Sequence, residues 1–214
     1  DDFWPQDVSN IVWAYATGGA SHDEVFKKIG DHVAGLKSLD SFNSQNLSNT
    51  AWAFATAGVP HPKLFQKFGD HIAGLGSLDS FKPQALSNTV WAFATAGVSH
   101  PELFKKIGDH VAGLGSLNSF TPQALSNIVW AFATAGVLHP ELFQKIGDHL
   151  AGLDNLYSFN PHELSNTAWA FATARWFDSR LFDNLSNEAV VKREHFGGQA
   201  VANFLWACAY VGYT

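Results

Sequence analysis

The sequence has 214 residues, of which 46% are hydrophobic and 15% are charged, so it is neither a disordered chain nor a highly charged small domain. Thirteen basic residues against 19 acidic ones give a formal net charge of −6, which argues against binding that comes mainly from a basic patch on phosphates. The single cysteine, Cys208, excludes a disulfide-built scaffold, and no apolar run is long enough to predict membrane insertion. The chain contains no methionine and begins without a targeting leader, so we expect a piece of a longer protein.

A tryptophan recurs along the chain at a fixed interval. Five tryptophans are 39 residues apart and a sixth follows after 37: Trp13, Trp52, Trp91, Trp130, Trp169 and Trp206. Phenylalanines keep the same step and place the repeat starts near residues 3, 42, 81, 120, 159 and 196. The period predicts five repeats and the first half of a sixth, in a single domain over residues 1–214.

Each repeat is predicted to form two helices joined by a turn. In the repeat that begins at Phe120, Thr121-Pro122 is typical of a helix start, and Gly136 is the expected left-handed residue just past the helix, which should run to Ala135. A second helix is expected to open at His139-Pro140. The sequence shows no period-2 alternation that would predict strands. Because a unit this small must stack on its neighbours, we predict an all-α fold, an α-solenoid of about eleven helices.

Several apolar positions have predicted structural roles. Gly108 lies beside the apolar stripe of a second helix, and we expect it to permit a close helix–helix crossing. The tryptophans are expected to be mostly core, wedged between adjacent repeats. Cys208 replaces the equivalent of Phe132 inside a helix and is expected to be a core residue.

An uncharged stripe of amides marks the outer side of each first helix. Gln123, Asn127 and Thr134 share this side of the helix that starts at Pro122, and the position after the glutamine varies between repeats. The candidate binding face consists of Gln6, Asn10, Gln45, Asn46, Asn49, Gln84, Asn88, Gln123, Asn127, Glu163, Asn166 and Asn203. The amides either bond the backbone of the neighbouring repeat, or they hold an extended polymer. That polymer is either single-stranded RNA, through its base edges, or the main chain of a peptide.

The sequence contains no recognisable catalytic or metal site. Eight of the ten histidines fall on the repeat lattice, and His100 and His110 lie at opposite ends of one helix, too far apart to share a metal. Zinc-protease, phosphate-loop and nucleophile-elbow motifs are all missing. We therefore expect no enzyme activity, no metal, no cofactor and no small-molecule substrate.

The segment from Phe120 to Gly136, with Leu125-Ser126-Asn127 and Trp130, resembles the first helix of octotricopeptide repeats, and the resemblance spans nearly the whole chain. The Pro-Glu-Trp signature of that family's second helix has partial counterparts at Pro101-Glu102-Leu103 and Pro140-Glu141-Leu142. The resemblance implies an α-solenoid that binds specific transcripts in a chloroplast or mitochondrion, to stabilise, process or translate them.

Leu-Ser-Asn beside Trp is also similar to the Asn and Trp rows with which armadillo repeats hold extended peptides, although armadillo units have three helices. The alternative to sequence-selective RNA binding is therefore a protein-binding or scaffold solenoid within a larger assembly. It would hold an extended peptide or a partner subunit on the same face.

Overall fold

The computed structural model describes residues 4–19 and 22–213, and Phe3, at the predicted start of the first repeat, lies outside them. Within the described residues there are eleven α-helices, one short 3₁₀ helix at Arg193–His195 and no strand. The α-helices are α1 Pro5–Thr17, α2 Asp23–Gly35, α3 Ser44–Thr56, α4 Pro62–Gly74, α5 Pro83–Thr95, α6 Pro101–Gly113, α7 Pro122–Thr134, α8 Pro140–Ala151, α9 Pro161–Thr173, α10 Ser179–Val191 and α11 Gly198–Val211. None of these helices has the length and apolarity needed to cross a bilayer.

The chain divides into two compact units, Asp1–Ile107 and Gly108–Thr214. In the first unit, the first helices of successive repeats, α1, α3 and α5, pack side by side, and the second helix α2 packs on the second helix α4. In the second unit, α7, α9 and α11 pack side by side, and α8 packs on α10. This repeated helix–turn–helix packing confirms the predicted all-α solenoid class. The boundaries of the individual repeats stay a prediction.

The core of each unit contains pairs of phenylalanines that join one repeat to the next. Phe26 on α2 meets Phe54 on α3 edge to face at 5.0 Å between ring centroids. Phe143 on α8 meets Phe171 on α9 in the same way at 5.3 Å. All four rings are buried. The second helix of each repeat is therefore fixed against the first helix of the next by apolar burial and ring geometry together.

The predicted helix ends of the repeat at Phe120 are close to those observed. The Thr121 side chain accepts a hydrogen bond from the Ala124 N–H at 3.2 Å and caps α7. The helix ends at Thr134, one residue earlier than predicted, and Gly136 has a φ of 66°. The fifth repeat places Arg175 at the equivalent position, and among the described residues Arg175 is the one non-glycine with positive φ, at 55°. An L-residue with a Cβ is strained there.

The interior glycine of the second helices α4 and α6 has a different role from the one predicted for Gly108. A Cβ at Gly69 or Gly108 would overlap the ring of the histidine that caps the second helix of the next repeat, His100 or His139 respectively. The glycine therefore makes room for an imidazole ring, and the expected close helix–helix crossing is not the reason that the structure gives for it. In the fifth repeat, the indole of Trp176 covers Gly147 instead.

Each of these histidines forms a clasp between two repeats. The His100 Nδ1 accepts a hydrogen bond from the Leu103 N–H at 3.1 Å, so the ring proton lies on Nε2, which donates to Asp70 Oδ1 at 3.2 Å. The His139 ring bonds Leu142 and Asp109 in the same way, and the His61 ring bonds Leu64 and Asp31. His100 is buried. The buried ring is thus satisfied at both nitrogens, and it ties a helix start to the preceding second helix.

The histidine clasp predicts different effects of alanine at two glycines of α4. Gly69→Ala should lower the free energy of unfolding by about 1–3 kcal/mol, because the new methyl group overlaps the buried His100 ring. Gly74→Ala is the matched control: nothing lies within 4 Å of its added Cβ, and it should change stability by less than about 1 kcal/mol. Urea unfolding followed by circular dichroism measures both. Equal effects for the two variants would contradict the clasp.

The left-handed backbone at Arg175 predicts a stabilising substitution. Arg175→Gly should raise the free energy of unfolding by about 1 kcal/mol, because glycine adopts this backbone without the Cβ clash. Arg175→Lys keeps the clash and should leave the stability unchanged. Thermal unfolding of both variants checks this, and a destabilised glycine variant would contradict it.

Candidate functional site

The first helices present a stripe of four side chains at helical spacing. On α3 these are Gln45, Asn49, Trp52 and Thr56, and on α5 the same four residue types recur 39 positions later. The spacing of 4, 3 and 4 residues keeps all four on one side of the helix. We call these positions on α1, α3, α5, α7, α9 and α11 the first-helix stripe. It contains no Lys, Arg, Asp or Glu.

The structure places the predicted amides at the surface. The glutamines Gln6, Gln45, Gln84 and Gln123 are exposed, and so is Asn10. The remaining stripe asparagines are half-buried: Asn49, Asn88, Asn127, Asn166 and Asn203. Within the first unit, α3 and α5 pack directly, so their amides form two adjacent rows.

The side chains of the stripe asparagines are unpaired within the described residues. Asn49 and Asn88 make no hydrogen bond there to protein, and neither do Asn127 and Asn166. The residue one position earlier is the one that bonds backbone: buried Ser48 donates to the Gln45 carbonyl at 3.2 Å, as the corresponding serines of the other first helices do. The amides thus keep both donors and acceptors available to a ligand.

Two of the predicted binding residues are engaged in helix caps instead. Asn46 is buried, its Oδ1 accepts from the Asn43 N–H at 3.2 Å, and its Nδ2 donates to Ser9 Oγ at 3.3 Å. Glu163 Oε2 accepts from the Asn160 N–H at 2.8 Å in an equivalent capping box. Their variation between repeats follows from the choice of cap at each helix start.

A polar cavity of about 340 Å³ lies between α3 and α5. Stripe residues Gln45, Asn49 and Gln84 line it, together with Ser44 and Lys82. Ser44 Oγ donates to the Ser80 carbonyl at 3.0 Å, which links the two repeats beside the cavity. This volume is at the lower end of the range for small-molecule sites, so it has room for one small polar ligand group.

The tryptophans of the stripe are less buried than predicted. Trp52 and Trp91 are half-buried, and Trp13 and Trp206 are exposed by 48% and 45%. The rings of Trp52 and Trp91 are tilted by 31°, with their centroids 6.5 Å apart. The two rings lie between adjacent repeats, as predicted, but part of each indole remains open to solvent.

Sequence reasoning missed Lys82 and the Trp52–Trp91 pair as site residues. Lys82 is the N-cap of α5 without a side-chain cap bond, at a position where α3, α7 and α9 have Asn43, Thr121 and Asn160. The sequence did contain a signal for Lys82: a lysine stands where the equivalent repeats have a capping amide or hydroxyl. No comparable signal existed for the indoles, because their exposure depends on the neighbouring repeat.

The other reactive groups have ordinary structural surroundings. Burial raises the pKa of the half-buried Cys208 thiol, which favours its protonated form over the nucleophilic thiolate. The described residues contain no group of three or more His, Cys, Asp or Glu side chains that could hold a metal ion. Desolvation, followed by the charge of Lys145, lowers the pKa of His149.

The different surroundings of Asn46 and Asn49 predict different effects of truncation. Asn46→Ala should lower the free energy of unfolding by about 1–2 kcal/mol, because it removes half of a capping box and the bond to Ser9. Asn49→Ala should change it by less than about 0.5 kcal/mol, because no protein partner is lost. Chemical denaturation of both variants tests this. A strongly destabilised Asn49→Ala would show that the stripe is internal scaffolding.

Comparison with known families corrects one expectation from the sequence. No curated protein matches the chain, but the RESC6 family matches it over residues 1–214. The assignment to octotricopeptide repeats is therefore wrong. The residues that carried the resemblance form a helix cap, the buried side of a helix and a turn glycine, which any helical repeat requires. The tryptophan of the octotricopeptide signature is replaced by fully buried Leu103 and Leu142. The chain belongs to the RESC6 family, that of RNA-editing substrate-binding complex 6 proteins.

Proposed function

We propose that the first-helix stripe binds single-stranded RNA, and that the chain acts as an RNA-holding component of an RNA-editing substrate-binding complex. The observation that carries the proposal is the row of unpaired amides. Asn49 and Asn88 are held on the directly packed helices α3 and α5 and have no protein partner among the described residues, and Asn49 lines the polar cavity together with Gln45 and Gln84. Asn and Gln side chains pair with the edges of unstacked bases, which single-stranded RNA presents and duplex RNA does not.

The charge distribution supports contact with bases more than with phosphates. The first helices carry no Lys or Arg, and Lys82 is the basic residue that lines the cavity. In the second helices, Lys67 donates from Nζ to the carbonyls of Ala34, at 3.1 Å, and of Leu36, and it thereby caps α2. Few phosphates are neutralised, so affinity for RNA should depend only weakly on salt, with a log–log slope of about −0.7 per contacted phosphate.

The family also bears on partners and location. Its name describes a component of an assembly, so protein partners accompany RNA in this proposal. RNA-editing complexes of kinetoplastids act in mitochondria, which supports the mitochondrial alternative of the location expected from the sequence and gives no support to the chloroplast. We propose that the chain works in transcript processing there, without catalysing a reaction itself.

An extended peptide is the second candidate ligand for the same face. The alternation of free Asn amides and half-buried Trp rings at a spacing of three residues favours it, because amides can also bond a peptide main chain. Both candidates use the same side chains, so the identity of the bound polymer, and not its position, distinguishes them.

The proposal predicts that the double variant Asn49→Ala with Asn88→Ala binds single-stranded RNA at least tenfold more weakly, a loss of about 1.4 kcal/mol. Helix content and melting should stay unchanged, because neither amide has a protein partner. Fluorescence anisotropy with a labelled oligoribonucleotide, at two salt concentrations, measures the affinity. The control is Asn187→Ala, which removes an exposed amide from α10, outside the stripe.

Three results would contradict the proposal. RNA binding that is unchanged in the double variant places the contact elsewhere, and a steep salt dependence assigns it to the lysines of the second helices. If the wild-type chain binds no RNA above background, and the double variant loses a protein partner, the face binds peptide.

A further inference from the structure

We propose that Trp52 and Trp91 form a slot that accepts one unpaired RNA base, stacked between the two indoles. The inference rests on the proposed function and adds the chemical group that the face takes and where it takes it. Both rings belong to the first-helix stripe, both are half-buried, and they lie on α3 and α5, which pack directly. Each ring therefore has a free part that faces the polymer-binding side.

The separation of the two rings suits an inserted base. Bases stack at about 3.4 Å, so two rings on either side of one base are about 6.8 Å apart. The centroids of Trp52 and Trp91 are 6.5 Å apart and the rings are tilted by 31°. A small rotation toward parallel, with an opening of a few tenths of an ångström, makes room for a base. By contrast, the directly stacked pair Trp206 and Tyr210 on α11 has a centroid distance of 4.9 Å and a tilt of 20°.

The protein backbone keeps the two indoles from closing on each other. Packed helices lie about 8–10 Å apart, and the buried side chains of α3 and α5 fix that distance. Phe54 and Phe93 at the inner side of these helices are fully buried and packed edge to face on Phe26 and Phe65 of the second helices. The rigid spacing of the repeats therefore holds the indoles near the separation of a base sandwich before any ligand binds, so little ordering cost remains.

Polar groups surround the slot where the rest of a nucleotide would lie. Asn49 and Asn88 precede the two indoles by three residues, about one helical turn, so they lie beside the indoles on the same side of each helix. The cavity of about 340 Å³, which Asn49 lines, has the volume for a sugar and a phosphate, and exposed Lys82 at its lining supplies one positive charge. In this arrangement, stacking of the base on the indoles supplies affinity, the asparagine amides hydrogen-bond to the edge of the base, and Lys82 pairs with one phosphate.

The second unit offers a control that is matched in chemistry. The indole of Trp176 packs over Gly147 and against Phe171, and its Nε1 donates to Gln144 Oε1 at 3.4 Å. This ring lies against α8, a second helix, and outside the first-helix stripe. A substitution of Trp176 perturbs packing between repeats without touching the slot.

The test uses the whole chain and two oligoadenylates, one intact and one in which every base is replaced by an abasic site. Trp52→Leu should weaken binding to the intact oligomer by about tenfold or more, as expected for the loss of one base–aromatic stack. Trp52→Phe should retain most of the affinity, and Trp176→Phe should leave it unchanged. The abasic oligomer should bind wild type and Trp52→Leu equally weakly.

A spectroscopic measurement keeps the test decisive if Trp52→Leu fails to fold. With fluorinated tryptophan in the chain, the ¹⁹F resonances of Trp52 and Trp91, assigned from single Trp→Phe variants, should both shift when intact oligoadenylate binds, and neither should shift with the abasic oligomer. Unmoved Trp52 and Trp91 resonances, or equal binding of both oligomers, would overturn the slot.

Failure of the slot can be distinguished from failure of the proposed function. If Trp52→Leu binds RNA normally while Asn49→Ala with Asn88→Ala does not, the face binds RNA without a base between the indoles. If no oligoribonucleotide binds the wild-type chain, or if an extended peptide alone shifts the two resonances, both proposals are wrong.

Discussion

The placement of a buried imidazole over a glycine fixes how one repeat meets the next. The His100 ring occupies the space that a Cβ at Gly69 would fill, and its two nitrogens are used by the Leu103 N–H and by Asp70. A buried polar ring must satisfy both nitrogens, and a glycine position admits the ring at one place only. The starts of α4, α6 and α8 are thereby fixed relative to the preceding second helix, and so are the first helices joined to them.

This fixed spacing makes a surface out of residues that are unremarkable in a single helix. One Gln–Asn–Trp–Thr stripe offers two amides and part of an indole, which would bind any polymer weakly. When α3 and α5 pack directly, Gln45, Asn49 and Gln84 of the stripes line one polar cavity, and the indoles of Trp52 and Trp91 lie 6.5 Å apart between their ring centroids. Because the helices are rigid, the protein itself loses little conformational freedom when a ligand binds this surface.

In the proposed function, positive charge lies mainly on the second helices, and the contacts to bases lie on the first helices. The second helices carry most of the lysines, and Lys67 already bonds backbone carbonyls of the previous repeat. The first-helix stripe contains no charged residue, so the proposed recognition of RNA there depends on base edges and base faces. The proposed face therefore suits unpaired RNA, because a duplex hides both. Because contacts to bases need few positive charges, the proposed face is compatible with the net charge of −6 of this member of an RNA-editing substrate-binding family.

The sequence by itself determined the helices and their order, because caps, periodic apolar positions and turn glycines are local signals that recur every 39 residues. It also located the amide stripe, since residues on one side of a helix follow from spacing alone. It did not separate Asn46 from Asn49: Asn46 completes a capping box with Asn43 and also bonds Ser9 of the neighbouring repeat, a contact that only the packing of α1 on α3 creates, whereas Asn49 is free. The role of Gly69 and the open indoles of Trp52 and Trp91 were likewise decided by tertiary packing, which brings together side chains about one repeat apart in the chain.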